Sequence, residues 1–123
     1  MNRQVLVVDD ELDMCETLAM VLEPIGCEVC AVQSGEAALT AIGERHFELA
    51  ITDYMMPGLD GRETLAAIRA LDPKVVVIVV TGYVSDEVFA ACRAGGAFAI
   101  LRKPFDIQEL RRVVDAALAA HVE

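Results

Sequence analysis

Five residues from four distant segments of the chain carry side chains suited to metal and phosphorus chemistry: Asp9, Asp10, Asp53, Thr81 and Lys103. Gathered in one place, they would put three carboxylates beside a hydroxyl and an ammonium. Two carboxylates ~4 Å apart repel by about 4 kcal/mol at an effective dielectric of ~20. That repulsion would raise a pKa by about three units unless a cation intervened. Lys103 supplies one positive charge, too little for three acids. A hard divalent ion is the natural remedy, and all-oxygen ligands with several retained waters suit Mg2+. With metal in place, one carboxylate can act as a nucleophile toward phosphorus, while Lys103 and Thr81 hold the phosphoryl oxygens. Asp53 is the candidate nucleophile, and the adjacent Asp9 and Asp10 are the candidate metal ligands. The chain has no G-x-x-x-x-G-K-[ST] loop and no G-x-G-x-x-G turn, so a nucleotide is not the expected ligand.

What brings these residues together is the order of elements. Short apolar runs alternate with amphipathic helical stretches five times: Val5 to Val8, Cys27 to Val32, Phe47 to Thr52, Val75 to Val80 and Ala97 to Leu101. Val75 to Val80 is continuously β-branched, as expected for a strand covered on both faces of a parallel sheet. Between the runs, Cys15, Leu18, Ala19 and Leu22 share one helical face, as do Leu110, Val113, Val114, Ala117 and Leu118. Ser34, Asp60, Ser85 and Asp106 are expected N-caps, and Gly26, Gly43 and Gly95-Gly96 suit helix ends. Units of this size with right-handed crossovers give a doubly wound α/β sandwich, helices on both faces of a five-stranded parallel sheet.

In such a sheet the site lies beyond the carboxyl ends of the strands. Four of the five runs end there in a residue with chemistry, so separations of 43, 28 and 22 residues collapse onto one rim. Each residue alone has an ordinary explanation. Asp9, Asp10 and Glu11 could simply favour a helix N-terminus, Asp53 a turn, Thr81 a strand end, and Lys103 a solvated surface. Four independent coincidences at one rim are the weaker account.

Twenty acidic against ten basic residues give a net charge of −10, which opposes direct binding of nucleic acid or anionic membrane. At 123 residues, one domain spanning 1–123 is expected. No stretch is apolar for long enough to span a bilayer and no cleavage-site pattern follows Met1, so the expected setting is the cytoplasm. Cys27 and Cys30 have C-x-x-C spacing, but residues three apart on a strand point to opposite faces, so they should neither bridge nor share a metal. Cys15 and Cys92 read as core, and His46 and His121 as surface.

Taken together, Val7-Val8-Asp9-Asp10-Glu11, Asp53-Tyr54-Met55-Met56-Pro57-Gly58-Leu59-Asp60-Gly61, Val80-Thr81-Gly82 and Lys103-Pro104-Phe105 resemble the receiver domain of two-component response regulators, from end to end. The resemblance implies a flavodoxin-like sheet of order 2-1-3-4-5. It implies that Asp53 accepts a phosphoryl group from the phosphohistidine of a sensor histidine kinase or phosphotransfer protein. It further implies Mg2+ held by Asp10, Asp53 and the Met55 carbonyl with Asp9 helping through water, phosphoryl contacts from Lys103 and Thr81, and a cis Lys103-Pro104 peptide. Phosphorylation would draw Thr81 inward and rearrange the face built from the fourth helix, fifth strand and last helix. That face would then engage an effector, a fused output domain or a second copy in a homodimer.

The chain departs from the family pattern at one position, where Ile100 replaces the usual aromatic residue three before the lysine. Phe98, two residues earlier, is expected on the same side of the strand. Met55 and Tyr83, two residues beyond Asp53 and Thr81, flank the route of attacking water, and their bulk should lengthen the life of the acyl phosphate. An alternative enzyme reading, an aspartate-nucleophile phosphohydrolase, expects an acid at position 55, where this chain has Met. Another alternative is an unphosphorylated receiver-like scaffold, although all five site residues are present.

Overall fold

The computed structural model describes residues 3–56 and 60–121, so Pro57, Gly58 and Leu59 of the loop motif lie outside the described residues. Strands and helices alternate throughout. In order they are β1 (Arg3–Val8), α1 (Leu12–Leu22), β2 (Cys27–Val32), α2 (Gly35–Glu44), β3 (Leu49–Asp53), α3 (Gly61–Leu71), β4 (Val76–Thr81), α4 (Asp86–Ala94), β5 (Ala99–Arg102) and α5 (Ile107–Ala120). A single 3-10 turn, Glu23–Ile25, separates α1 from β2. All strand pairs are parallel, in the order β2-β1-β3-β4-β5. From β1 the chain steps outward to β2 and then crosses back to β3, so the order reverses between β1 and β3.

Alternation along the strands divides the core into two layers. Val5, Val7, Leu49, Ile51, Ile78 and Val80 pack with Leu18, Leu22, Leu110 and Val114 of α1 and α5. The intervening residues, among them Leu6, Val8, Ala50, Val77 and Val79, meet Ala38, Ile42, Leu65, Ile68 and Cys92 of α2, α3 and α4. Both faces of β1, β3 and β4 are therefore covered, which is why their sequences are unbroken apolar runs. Each large side chain withdrawn fully from water contributes about 1.5–3 kcal/mol. Cys27 falls in one layer and Cys30 against the other, and the four cysteines are free.

β2 coincides with its apolar run, and the edges of the other strands differ from theirs by one or two residues where they differ. Phe47 and Val75 are buried yet precede their ladders. The Val75 N–H closes a turn onto the Asp72 carbonyl, and the Ala97 N–H caps α4 by donating to the Cys92 carbonyl. Burial thus extends past pairing at the strand starts. At the other end, β3, β4 and β5 each run one residue further, to Asp53, Thr81 and Arg102.

The four expected N-caps are all formed. Side-chain oxygens of Ser34, Asp60, Ser85 and Asp106 accept the N–H groups of Ala37, Glu63, Val88 and Gln108. Gly26 and Gly96 take φ of 92° and 90°, the left-handed conformation that favours glycine. Gly43 departs from expectation: it lies inside the last turn of α2, which instead ends where the backbone of Arg45 turns extended.

Opposite the carboxyl ends, a polar network ties the strands together. Arg3 faces Glu48 at 3.3 Å and donates to the Leu118 carbonyl of α5 at 2.7 Å. Gln4 donates its backbone N–H to Glu48 and its amide to Glu28, and accepts from Arg45. The Arg45 guanidinium also covers the Phe47 ring.

Candidate functional site

The carboxyl ends of four strands deliver the expected residues to one rim. Asp9 directly follows β1, Asp53 is the last residue of β3, Thr81 the last of β4, and Lys103 directly follows β5. Pairing persists at this edge: Tyr54 N–H donates to the Val80 carbonyl, and Lys103 N–H to the Thr81 carbonyl. The backbone is therefore held right up to the reactive side chains.

Lys103 binds the acids together. Its ammonium lies 2.8 Å from Asp9 Oδ2 and 3.1 Å from Asp53 Oδ2. The second oxygens are also engaged, Asp9 Oδ1 by the Glu11 N–H and Asp53 Oδ1 by the Met55 N–H. Asp9 is 2% exposed and Asp53 6%, whereas Asp10 faces solvent. Burial pushes the Asp53 carboxyl above its ordinary value, outweighing the Met55 N–H and the Lys103 ammonium, which pull it down. For Lys103 burial acts downward, but the hydrogen bonds it donates to the Asp9 and Asp53 carboxylates, with their negative charge, prevail and hold the ammonium above its ordinary value. The nearby carboxylates thus keep Lys103 charged.

Asp9, Asp10 and Asp53 each offer an oxygen, and these oxygens lie within 4.8 Å of one another. Three converging carboxylates form a hard, all-oxygen donor set with excess negative charge, which fits a divalent cation of the Mg2+ or Mn2+ type. Among the described residues, two clefts lie away from this cluster. One, of about 360 Å³, includes His46 and His121 at the opposite rim, and the other lies between α1 and α5 near Met20 and Ile107.

The remaining expected residues fall around the cluster. Thr81 is fully buried, and its hydroxyl bonds to the backbone of Tyr83. Met55 and Tyr83 are 60% and 62% exposed on the loops after β3 and β4. Ile100 is half-buried against the layer of α2, α3 and α4, while Phe98 is exposed just before β5. The Lys103-Pro104 peptide is cis.

Two residues were given only ordinary roles by the sequence. Glu11 Oε1 stands 3.7 Å from the Lys103 ammonium. Cys15, read as plain core, donates its thiol to the Asp9 carbonyl at 3.4 Å and so steadies the backbone of an acidic residue. An N-cap occupied by Glu was the available sign for the first, and nothing in the spacing marked the second.

A doubly wound sheet with a buried acidic pocket at its switch point defines a class of domain, one whose pocket is typical of a phosphoacceptor site. Residues 5–115 match the response regulator receiver domain, and the chain belongs to that family. It is similar to the transcriptional regulatory protein ZraR of Escherichia coli O157:H7, 37% identical over 118 residues that make up 96% of this chain and 27% of that protein. The response regulator protein FleR of Pseudomonas aeruginosa is 37% identical over 115 residues, 93% of this chain and 24% of that protein. The chain thus spans about a quarter of the length of these relatives. Among solved structures, a CheY-like receiver domain protein from Methanospirillum hungatei JF-1 superposes with a TM-score of 0.93 at 29% identity, covering 97% of this chain and 95% of that one.

Proposed function

We propose that Asp53 is the phosphoacceptor of this receiver domain. An Asp53 carboxylate oxygen attacks the phosphorus of a phosphohistidine on a sensor histidine kinase or phosphotransfer protein; the P–N bond breaks, the imidazole leaves, and an acyl phosphate remains. The observation that carries this reading is the Lys103 ammonium seated between Asp9 and Asp53 at a strand-end rim. A cation already fixed beside the nucleophile is placed to receive the charge of a phosphoryl oxygen.

Asp9, Asp10, Asp53 and the Met55 carbonyl would hold Mg2+, which when bound neutralises carboxylate and phosphoryl charge. Thr81 turns its hydroxyl from Tyr83 to the new phosphoryl group. The face of α4, β5 and α5 changes with it and controls an effector, an attached output domain or a homodimer contact. Two relatives named as transcriptional and response regulators, each about four times longer, favour an attached output domain. The acidic receiver itself has no role in gripping nucleic acid in this scheme. It acts in the cytoplasm, and water slowly returns the acyl phosphate to Asp53, an autodephosphorylation.

The test is incubation with a small phosphodonor and Mg2+, followed by assay for hydroxylamine-labile phosphate, with Asp53→Asn as control. Stoichiometric labelling lost in the variant is expected. Sustained turnover would favour a phosphohydrolase instead, and absence of labelling an unphosphorylated scaffold.

A further inference from the structure

Glu11 occupies the N-cap position of α1 without capping it. Each of the other four α-helices starts on a Ser or Asp whose side chain accepts a first-turn N–H. Such residues are strongly preferred at an N-cap, and Glu is a poor substitute. The one helix that breaks this rule begins at the acidic rim, and local rules are broken most often where function requires it. The Glu11 N–H is tied to Asp9 Oδ1, and its carboxylate, on a side chain 68% exposed, lies 3.7 Å from the Lys103 ammonium.

The position of Lys103 poses a problem for metal binding. Its ammonium holds Asp9 Oδ2 and Asp53 Oδ2. Those two carboxylates belong to the trio that would ligate a divalent cation. A monovalent and a divalent cation repel, so the ammonium must loosen its hold as the metal enters. It must nevertheless stay on the rim to meet a phosphoryl oxygen. Among the described residues, Glu11 is the remaining carboxylate within ion-pair distance of Lys103.

We propose that Glu11 is a positioning residue that takes up the Lys103 ammonium when a divalent cation enters the Asp9, Asp10 and Asp53 trio. It lowers the cost of metal entry and keeps Lys103 poised for the phosphoryl group. Freed from capping, and exposed enough to swing, its carboxylate can follow the ammonium outward. The inference rests on the reading of this pocket as a metal-dependent phosphoacceptor, and its test separates the two.

The experiment is a double-mutant cycle on Mg2+ affinity in the unphosphorylated domain, followed by tyrosine fluorescence, since Tyr54 adjoins Asp53 and the chain has no Trp. At ~0.15 M salt, where long-range attraction is screened, Glu11→Gln is expected to weaken Mg2+ about tenfold with Lys103 present and about twofold or less in the Lys103→Met background. Thermal unfolding of the metal-free variants confirms that they are folded. Equal weakening in both backgrounds would reduce Glu11 to a general negative charge and overturn the proposal, as would no weakening in either. Wild-type protein that binds no Mg2+ overturns the metal-dependent reading and this inference with it. Wild-type binding with an unlinked Glu11 overturns this inference alone.

Discussion

The Thr81 hydroxyl is engaged twice by one neighbour: it accepts the Tyr83 N–H at 3.1 Å and donates to the Tyr83 carbonyl at 3.2 Å. A hydroxyl has one proton, so Thr81 cannot donate to Tyr83 and to a phosphoryl oxygen at the same time. Tyr83 stands two residues before Ser85, the N-cap of α4. Any turn of the Thr81 side chain toward Asp53 therefore releases the loop that starts α4. With Ile100 rather than an aromatic on β5, this link is the contact that joins the Thr81 hydroxyl to the loop leading into α4.

Amide exchange at Tyr83 should report that release. With Mg2+ and beryllofluoride as a phosphoryl mimic, the Tyr83 amide is expected to lose protection in the wild type. In Thr81→Ala it should be unprotected from the start and unchanged by the mimic. Loss of protection at this amide on activation of the Thr81→Ala protein would place the trigger elsewhere.

Lifetime of the acyl phosphate should depend on the two exposed side chains flanking the pocket. Replacing Tyr83 or Met55 by Ala opens a path for water, and decay is expected to quicken about threefold or more, a barrier change of only ~0.7 kcal/mol. Decay of hydroxylamine-labile label over time measures it. A rate unchanged in Tyr83→Ala would mean that this ring merely sits on its loop.

The raised Asp53 carboxyl has a pH signature. Between its ordinary value of 3.8 and its higher native value, the folded protein binds more protons than the unfolded chain. Stability therefore falls as pH rises through that window. Asp53→Asn cannot titrate, so in metal-free buffer it should unfold at a higher urea midpoint than wild type at pH 7. The gap should narrow as pH drops toward 3.8. Parallel curves across the whole range would show that Asp53 ionises without cost.

Gly61, the first residue of α3, allows the helix to abut the strand that bears Asp53. A Cβ added there would sit 2.4 Å from the Tyr54 carbonyl oxygen and 2.5 Å from its ring. Relief requires moving backbone next to Asp53, so Gly61→Ala should cost about 1–3 kcal/mol in urea unfolding and slow phosphorylation. A variant as stable as wild type would mean that the β3–α3 loop yields freely.

The reactive residues were legible because the fold converts sequence distance into a shared edge: once the strands are placed, Asp9, Asp53, Thr81 and Lys103 have to meet. The strand starts were less so, since Phe47, Val75 and Ala97 are apolar for packing reasons and lie outside the ladders. Phe98 illustrates the same point. Alternation put it on the side of Ile100, but β5 begins at Ala99, and Phe98 is exposed. Glu11 stayed hidden because an acid near a helix start already has an electrostatic explanation, and its partner lies 92 residues away in the chain.

The bonds among Arg3, Gln4, Glu28, Arg45 and Glu48 clamp the sheet at the rim away from the acids, with Arg3 also fastening α5. At the acid rim the braces are backbone bonds instead, Tyr54 to Val80 and Lys103 to Thr81. Side chains cross-brace one end of the sheet and leave those at the other end free to change partners without unzipping a strand, so amides of β3 and β4 should stay protected up to Asp53 and Thr81 while the loops beyond them exchange.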